Sequence, residues 1–252
     1  MRKRGKADRA ASEGPVALGV HPTLRYRVVW LLTRVVIRAL WDVRAEGLDR
    51  WPQPPFCLVA NHHNGWDPVL VMSIAPMEPR ITWFGPREED FSRGFKNRVM
   101  GFVGGVIPYH PAHTSISAAV RAVRRVFEAG GVLGTFGEGR IGFREAELLP
   151  LEEGAVGLAS SAGVPIVPCA IIGSSYLWFR RRVVIRFGVP IPTTGVRGRA
   201  ARAQLEERVG AELAALLPPA EPRLPRRRPL LFIGDMLSGG EDLARRRSER
   251  ED

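Results

Sequence analysis

The sequence predicts an α/β fold: a single domain with a mostly parallel central sheet flanked by helices, preceded by an N-terminal amphipathic helix. After residue 50, short apolar runs alternate with segments of helical spacing. This alternation is typical of a parallel sheet that is covered on both faces. With 252 residues, 45% of them hydrophobic, the chain is long enough to bury one core. We therefore expect one compact domain with tails.

The first element is a helix predicted for residues 24–41, LRYRVVWLLTRVVIRALW. Its apolar and basic side chains separate at helical spacing. The apolar side comprises Val28, Leu31, Leu32, Val35 and Ala39, and the basic side comprises Arg27, Arg34 and Arg38. Such a helix either lies in a membrane interface, with Trp30 and Trp41 at headgroup depth, or packs on the domain with a solvated arginine face. The basic residues at positions 2–9 favour the membrane.

Five strands and four further helices are predicted along the rest of the domain. The strands are 56–60, 81–84, 132–136, 164–172 and 183–187, and the helices are 69–74, 113–131, 153–163 and 200–217. The helix at 113–131 has the clearest pattern, because Ile116, Val120, Val123 and Phe127 follow helical spacing. Strands spaced by helices in this way predict parallel pairing.

Composition divides the chain into three parts. Residues 1–20 are a predicted disordered basic N-terminus, residues 21–217 form the domain with its N-terminal helix, and residues 218–252 are a linker and largely disordered tail. The tail begins with a segment rich in proline and arginine and ends in a charged stretch without apolar periodicity.

The charge balance narrows the range of partners. Thirty-seven basic and 26 acidic residues give a formal net charge of +11, which favours a partner that carries phosphate, either nucleic acid or an anionic membrane. No signature of a nucleic-acid-binding module is present.

Cys57 and Cys169 lie in separate apolar runs, so we expect reduced core residues. The basic residues at 2–9 lack a following apolar stretch, so export through a signal peptide is not expected.

Two polar turns follow predicted strands. Asn61 and His62 come directly after strand 56–60, and GEGRIG at 137–142 comes directly after strand 132–136. Because open α/β sheets bind ligands beyond the carboxyl ends of their strands, we expect the two turns to share one crevice.

The turn GEGRIG has the glycine spacing of dinucleotide-binding loops, but its context differs. It does not open a helix within a βαβ unit, and no acidic residue follows a second strand about 20 positions on, so no dinucleotide cofactor is expected. Its glycines instead let the backbone approach a phosphate closely. Arg140 would then supply charge, and Glu138 would hold the turn.

Three interpretations fit the stretch NHHNGWDP at 61–68. A histidine whose ring nitrogen is held by Asp67 is a general base at neutral pH. Alternatively, Asp67 caps a helix in which Pro68 is the first residue. The third interpretation is a metal site formed by His62, His63 and Asp67, although no further ligand is evident nearby. The local pattern alone does not choose between the base and the cap.

NHHNGWD resembles the NHxxxxD motif of the glycerolipid acyltransferases, the family typified by 1-acyl-sn-glycerol-3-phosphate acyltransferase. FGEGRIG at 136–142 is similar to the family's FPEGTR block, with Gly137 in the place of proline, and VPIVPCAI at 164–171 is similar to its VPIVPVAI block. The three motifs occur in the family's order, and the resemblance covers residues 25–217.

The resemblance implies which residues form the site. His62 and Asp67 occupy the positions of the catalytic histidine and its aspartate, and His63 falls on a variable position. The implied substrate-binding residues are Asn61, Glu138, Gly139 and Arg140. No metal is implied.

The resemblance also implies a reaction and its partners. His62 would remove the proton from a hydroxyl of 1-acylglycerol-3-phosphate or a related lysophospholipid, and the oxygen would attack the thioester of acyl-CoA or acyl-carrier protein. The thioester is a co-substrate, and no cofactor is implied. We expect an enzyme of phospholipid biosynthesis that is peripheral, on the cytoplasmic face of an anionic membrane, without nucleic acid. The oligomeric state is left open.

Two departures from the family concern the acceptor. Where members carry an arginine after a hydrophobic-proline block, GVIPYHPAH offers Tyr109 and His110, and LEEG at 151–154 carries acids where members often have a lysine. His110, His113 or Arg140 is the candidate substitute, unless the acceptor differs from lysophosphatidate. Two alternatives from other classes are a non-catalytic basic module that binds membrane or nucleic acid, and a metal-dependent hydrolase.

Overall fold

One seven-stranded sheet organises the computed structural model, which describes residues 20–86, 105–109, 116–142, 144–219 and 229–231. The strands are β1 (Asp42–Glu46), β2 (Phe56–Ala60), β3 (Ile81–Pro86), β4 (Val106–Tyr109), β5 (Val132–Phe136), β6 (Ile166–Ile172) and β7 (Arg182–Phe187). The helices are α1 (Leu24–Leu40), α2 (Asp67–Ile74), α3 (Ile116–Glu128), α4 (Glu153–Ala162) and α5 (Gly198–Leu216), with a 3-10 turn at Leu48–Arg50. The predicted α/β fold is confirmed.

The strand order across the sheet is β1-β7-β6-β2-β5-β3-β4. Neighbouring strands run parallel except β6 and β7, which pair antiparallel. The two strands at the edges, β1 and β4, are absent from the sequence prediction. Edge strands need few apolar residues: β1 reads DVRAE and buries only Val43, and β4 is four residues long. The central strands, which are covered on both faces, carry the apolar runs that predict them.

Two separate cores lie on the two faces of the sheet. On one face, α1 and α2 pack over Phe56, Leu58 and neighbouring apolar side chains. On the other face, α3, α4 and α5 pack over Cys57 and Val59. All five residues of β2 are fully buried. Cys57 and Cys169 are buried free thiols, as predicted.

Helix α1 packs through a different side from the one that its apolar pattern predicts. Thr23 caps its start by accepting a hydrogen bond from the Tyr26 N–H at 3.2 Å. Tyr26 and Ile37 are buried, and Trp30 packs partly buried against the same core. Trp41, which directly follows the helix, is also buried and lies beside Trp66. The prediction that Trp41 lies at headgroup depth is therefore wrong.

The apolar side of α1 faces away from the domain. Four of the five predicted apolar residues, together with Leu24 and Val36, form this outward side. Their side chains are 49% to 76% exposed; they are Leu24, Val28, Leu31, Leu32, Val35 and Val36. The helix thus packs on the domain with Arg27 and Arg38 exposed, as the second interpretation states, but the packed side is that of Tyr26 and Ile37 and not the apolar side. By helical spacing, Arg27, Arg34 and Arg38 border this side. Across the described segments, helices lack the combination of length and apolar character that crossing a bilayer requires.

The remaining boundaries agree closely with the prediction, with local differences. In α3 the buried positions are Ala119, Val123, Val126 and Phe127, whereas Val120 is 38% exposed. Most of the predicted disordered N-terminus and of the predicted tail lies outside the described residues. Pro229 in the tail is described, and its carbonyl accepts a hydrogen bond from the Phe179 N–H at 2.9 Å.

Gly47, which follows β1, is expected to be essential for stability. Its φ is +72°, and a Cβ there would clash with the carbonyl oxygen of Phe187 on the neighbouring strand. Gly47→Ala should lower the free energy of unfolding by about 1–3 kcal/mol, because the left-handed backbone and the clash both oppose the side chain. Urea denaturation measures the change.

The matched control is Gly157→Ala. Gly157 lies inside α4 with open space where a Cβ would project, so this change should raise stability by about 0.5–1 kcal/mol. Equal effects of the two substitutions would contradict the backbone argument.

Candidate active site

The two predicted polar turns meet at the carboxyl edge of the sheet. Strands β2 and β5 are parallel neighbours, and Ala60 pairs with Phe136 at their last residues. The Gly137 N–H then donates to the Ala60 carbonyl at 2.9 Å, and the Gly142 N–H donates to the His62 carbonyl at 2.7 Å. The predicted shared crevice thus places the histidine turn and the glutamate turn in direct contact.

His62 is hydrogen bonded to Asp67. The His62 Nδ1 lies 2.9 Å from the Asp67 Oδ2. The Asp67 side chain is fully buried, whereas that of His62 is 17% exposed. The carboxylate therefore approaches the imidazole from inside the protein, and part of the imidazole remains accessible from outside.

The same carboxylate oxygen fixes the turn between the two residues. Asp67 Oδ2 accepts hydrogen bonds from the His63 N–H at 2.7 Å and the Asn64 N–H at 2.8 Å. Asp67 is the first residue of α2, and Trp66 holds the cap position. Because both amides precede the helix, the prediction that Asp67 caps α2 is wrong. The aspartate instead folds the turn back so that His62 meets it.

The charge state of Asp67 follows from these contacts. Burial by itself raises its pKa, but the hydrogen bond and charge of His62 and the backbone N–H of Asn64 outweigh burial and hold the pKa of Asp67 below its usual value. The group is therefore a carboxylate at neutral pH. A carboxylate is an acceptor only, so His62 donates its Nδ1–H to it, and the lone pair of the neutral ring is on Nε2.

Glu138 is a predicted substrate-binding residue, but its side chain is engaged inside the protein. It is 1% exposed. Its Oε1 accepts the His62 N–H at 2.8 Å, and its Oε2 accepts the Leu149 N–H at 3.1 Å. Burial raises the pKa of Glu138, against the opposing effect of these two donors and the nearby imidazoles. Glu138 therefore has the structural role that the glycine spacing of its turn also suggested: it holds that turn and joins it to the histidine turn.

Asn61 is also a predicted substrate-binding residue whose side chain is engaged elsewhere. It is fully buried. Its Oδ1 accepts the Ile171 N–H at 2.7 Å, and its Nδ2 donates to the Ile171 carbonyl at 3.0 Å. Asn61 thus connects the end of β2 to the end of β6, and it has a structural role in place of the predicted contact with substrate.

His63 is buried between two protein partners. Its Nδ1 lies 3.0 Å from the Asn61 Nδ2, and its Nε2 lies 2.9 Å from the Glu147 carbonyl oxygen. These contacts require Nδ1 to accept and Nε2 to donate. Both nitrogens of His63 are therefore used within the protein, which argues against the interpretation of His62, His63 and Asp67 as a metal site. Over the described ranges, no group of three metal-ligating side chains is found.

Gly139 and Arg140 differ from the other predicted binding residues because they are exposed. Gly139 adopts a positive φ of 64°, and Arg140 follows it at the surface of the turn. The next helix, α4, begins only at Glu153, so GEGRIG does not open a helix as a dinucleotide loop would. His110 and His113, the other candidate cations, lie outside the described residues.

A comparison with known sequences identifies the family of this chain. The family model described as Acyltransferase matches residues 42–172, which include both turns and the sheet from β1 to β6. The chain belongs to the acyltransferase family. The predicted resemblance and the predicted enzyme class, an acyltransferase, are thereby confirmed.

Two relatives agree with this assignment. The 1-acyl-sn-glycerol-3-phosphate acyltransferase of Bacillus subtilis (strain 168) is 24% identical over 148 residues, which cover 56% of this chain and 68% of the relative. The crystal structure of the 1-acyl-sn-glycerophosphate (LPA) acyltransferase PlsC from Thermotoga maritima superposes with a TM-score of 0.60 and 20% identity. That match covers 79% of this chain and 81% of the other chain, and it supports the fold.

Two contacts of the acyltransferase site are absent from the sequence prediction. The His62 ring stacks on Phe136, and Glu145 accepts hydrogen bonds from the backbone of Gly173 and Ser175 beyond β6. The pairing of β2 with β5 carried a signal for Phe136, because it is the last residue of β5 and immediately precedes the glutamate turn. Glu145 lies in a segment without regular structure and had no comparable signal.

The depressed pKa of Asp67 predicts a pH-dependent contribution to stability. The contribution is fully present above the unfolded-state value of about 3.9 and is lost as the pH falls through the lower folded-state pKa. The difference in unfolding free energy between the wild type and Asp67→Asn should therefore shrink as the pH falls from 5 toward 2. Urea denaturation at stepped pH measures it, and a difference that grows in acid would contradict the charge assignment.

Proposed function

We propose that this acyltransferase is a lysophospholipid acyltransferase of phospholipid biosynthesis. It moves an acyl group from a thioester, acyl-CoA or acyl-carrier protein, to a hydroxyl of 1-acylglycerol-3-phosphate or a related lysolipid. The name of the Bacillus subtilis relative supports this acceptor class. The thioester is a co-substrate, and the proposed chemistry uses no metal or cofactor.

The observation that carries the proposal is the 2.9 Å contact between the His62 Nδ1 and the buried Asp67 carboxylate. It leaves Nε2 as the basic atom of a partly exposed ring. A base in this arrangement is oriented before the substrate arrives, and the carboxylate stabilises the positive charge that the ring acquires.

The proposed reaction needs one base and no acyl-enzyme. His62 Nε2 removes the proton of the acceptor hydroxyl as its oxygen attacks the thioester carbonyl. The new C–O bond forms, the C–S bond breaks, and the departing thiolate takes the proton back from His62. Base catalysis of this kind contributes roughly 100- to 10,000-fold, and alignment of the two substrates supplies much of the rest.

The exposed part of the glutamate turn is the proposed contact for the acceptor headgroup. The carboxylate of Glu138 accepts hydrogen bonds from two backbone N–H groups and so stabilises the turn. Gly139 and Arg140 are exposed to solvent. A guanidinium suits a phosphate, because its planar donors bind two oxygens at once.

The proposed position of the enzyme is peripheral, on an anionic membrane surface at the cytoplasmic face. The outward apolar side of α1, defined above, is bordered by arginines. A helix of this kind buries its apolar side at the acyl boundary while arginines meet lipid phosphates. The proposed acceptor and the acyl product are lipids, so docking would bring them to the enzyme from the bilayer.

The alternative of a non-catalytic basic module conflicts with the geometry at the sheet edge. A binding module has no need for a buried carboxylate that orients a partly exposed imidazole, and burial of an ionised group is costly even when it is paired. The alternative of a metal-dependent hydrolase requires His63 as a ligand, and its ring nitrogens contact Asn61 and Glu147.

His62→Ala should lower the rate of acyl transfer by about 100- to 10,000-fold, because the base is removed. The measurement is kcat for transfer from acyl-CoA to 1-acylglycerol-3-phosphate in mixed micelles. His62→Ala should also lower stability by about 1–3 kcal/mol, because the buried Asp67 carboxylate loses a hydrogen-bond donor, so kcat is compared for the folded fraction.

The matched control is His63→Ala, one residue further along. It should lower stability by about 1–3 kcal/mol, because a buried hydrogen-bonded side chain is lost, while the folded fraction keeps most of its activity. Equal loss of activity in the two variants would contradict the assignment of the base to His62.

Replacing Leu31 and Val35 together by aspartate should weaken binding to anionic vesicles by about tenfold or more, because two apolar side chains no longer enter the bilayer. Co-sedimentation with phosphatidylglycerol-containing vesicles at low salt measures the change. Val189→Asp is the control, because Val189 is 61% exposed, against 60% for Val35, but lies far from α1 in sequence, after β7. Unchanged binding of the α1 variant would remove this helix from the membrane contact.

A further inference from the structure

Three aromatic rings are stacked in a row that ends on the proposed base. The His62 and Phe136 ring centroids are 3.8 Å apart, and the rings are inclined by 12°. Phe136 in turn stacks on Trp83, with centroids 5.1 Å apart and an angle of 11°. The row runs from the end of β2, across the end of β5, to β3. It therefore follows the order of the strands in the sheet.

Gly134 provides the space for the far end of this row. It lies on β5 and pairs with Trp83 on β3. A Cβ on Gly134 would lie 2.7 Å from the Trp83 Cε3 and 2.8 Å from the Ile81 Cγ2. The indole lies against β5 only because this position carries no side chain. Trp83 is 3% exposed, so it is a fixed, buried support for Phe136.

The hydrogen bond to Asp67 fixes only one edge of the His62 ring. A single contact at Nδ1 leaves the ring free to tilt about the line between Nδ1 and the carboxylate oxygen. A parallel ring at 3.8 Å removes that freedom, because any tilt would break van der Waals contact or cause overlap. Two independent contacts, one at the edge and one at the face, therefore set the direction of Nε2.

The geometry of the stack also suits a charged imidazole. Two neutral rings prefer an offset or edge-to-face arrangement, with centroids farther apart than in a face-to-face pair. A cation over the face of a ring is attracted to its negative centre. The close, nearly parallel arrangement of His62 and Phe136 thus stabilises the positive charge that the imidazole acquires when it accepts the proton of the substrate.

We propose that Phe136, supported by Trp83, is a positioning residue that holds the plane of the His62 imidazole and stabilises its protonated form during acyl transfer. The inference rests on the proposed function, because it assigns His62 the role of base. Phe136 acts through His62 and takes no part in bond making.

The kinetic test compares Phe136→Leu with Phe136→Tyr. Leucine keeps an apolar side chain but removes the ring face, so kcat should fall by about 3- to 30-fold with little change in KM. Tyrosine keeps the ring face and should restore kcat to within about twofold of the wild type. Trp83→Leu should lower kcat in the same direction, since it removes the support without touching His62.

Phe56→Leu is the control for the loss of a ring from the same core. Phe56 is fully buried at the other end of β2 and packs against Trp51, so its loss lowers stability but should leave kcat of the folded enzyme unchanged. An equal fall in kcat for Phe136→Leu and Phe56→Leu, or an equal fall for Phe136→Leu and Phe136→Tyr, would overturn the proposal.

A spectroscopic measurement separates this inference from the proposed function. The chain has five histidines, so the imidazole C–H signals of histidine-labelled protein can be assigned with His62→Ala. The Phe136 ring current should displace the His62 signals upfield, and Phe136→Leu should move them downfield in the absence of any substrate. Unchanged signals overturn the stack. A moved signal in a protein without acyl-transfer activity supports the stack and contradicts the proposed function instead.

Discussion

The carboxylate of Asp67 is the group on which the rest of the site depends. Its Oδ2 accepts hydrogen bonds from the imidazole of His62 and from the backbone N–H groups of His63 and Asn64. A buried ionised group requires donors of this kind. The same three contacts, all at Oδ2, bend the chain between β2 and α2, so the interactions that stabilise the charge also shape the turn. The local fold and the proposed base are therefore consequences of one electrostatic requirement.

A second carboxylate, that of Glu138, extends this arrangement across the sheet edge. Each of its oxygens accepts a hydrogen bond from one backbone N–H, that of His62 or that of Leu149. The side-chain amide of Asn61 joins β2 to β6. The polar residues of the motifs are thus mostly used to connect the ends of parallel strands, where the loops supply no ladder of hydrogen bonds. Among the predicted site residues that the structure describes, His62, Gly139 and Arg140 keep surface toward solvent, and these are the proposed substrate contacts.

Helix α1 and the site have different roles in the proposed function: the helix contacts the membrane, and the site transfers the acyl group. The helix packs on the domain through the side that carries Tyr26 and Ile37, which are buried. Its most apolar side faces away from the domain. A soluble helix normally does the reverse. The outward side is a contact surface for lipid in our proposal, while the rigid sheet edge supplies the chemistry. The row of His62, Phe136 and Trp83 then connects the proposed base to the buried sheet.

The sequence by itself determined the central strands and helices and the meeting of the two turns, because apolar periodicity and parallel pairing leave few arrangements for these segments. The pairing of His62 with Asp67 followed from the resemblance to the acyltransferases. Tertiary structure decided the rest. Edge strands β1 and β4 have too little buried surface to produce a pattern. The roles of Asn61, His63 and Glu138 depend on partners between 76 and 110 residues away in sequence, and the outward side of α1 depends on which face the core accepts. A pattern of neighbouring residues carries no information about contacts so far apart in sequence.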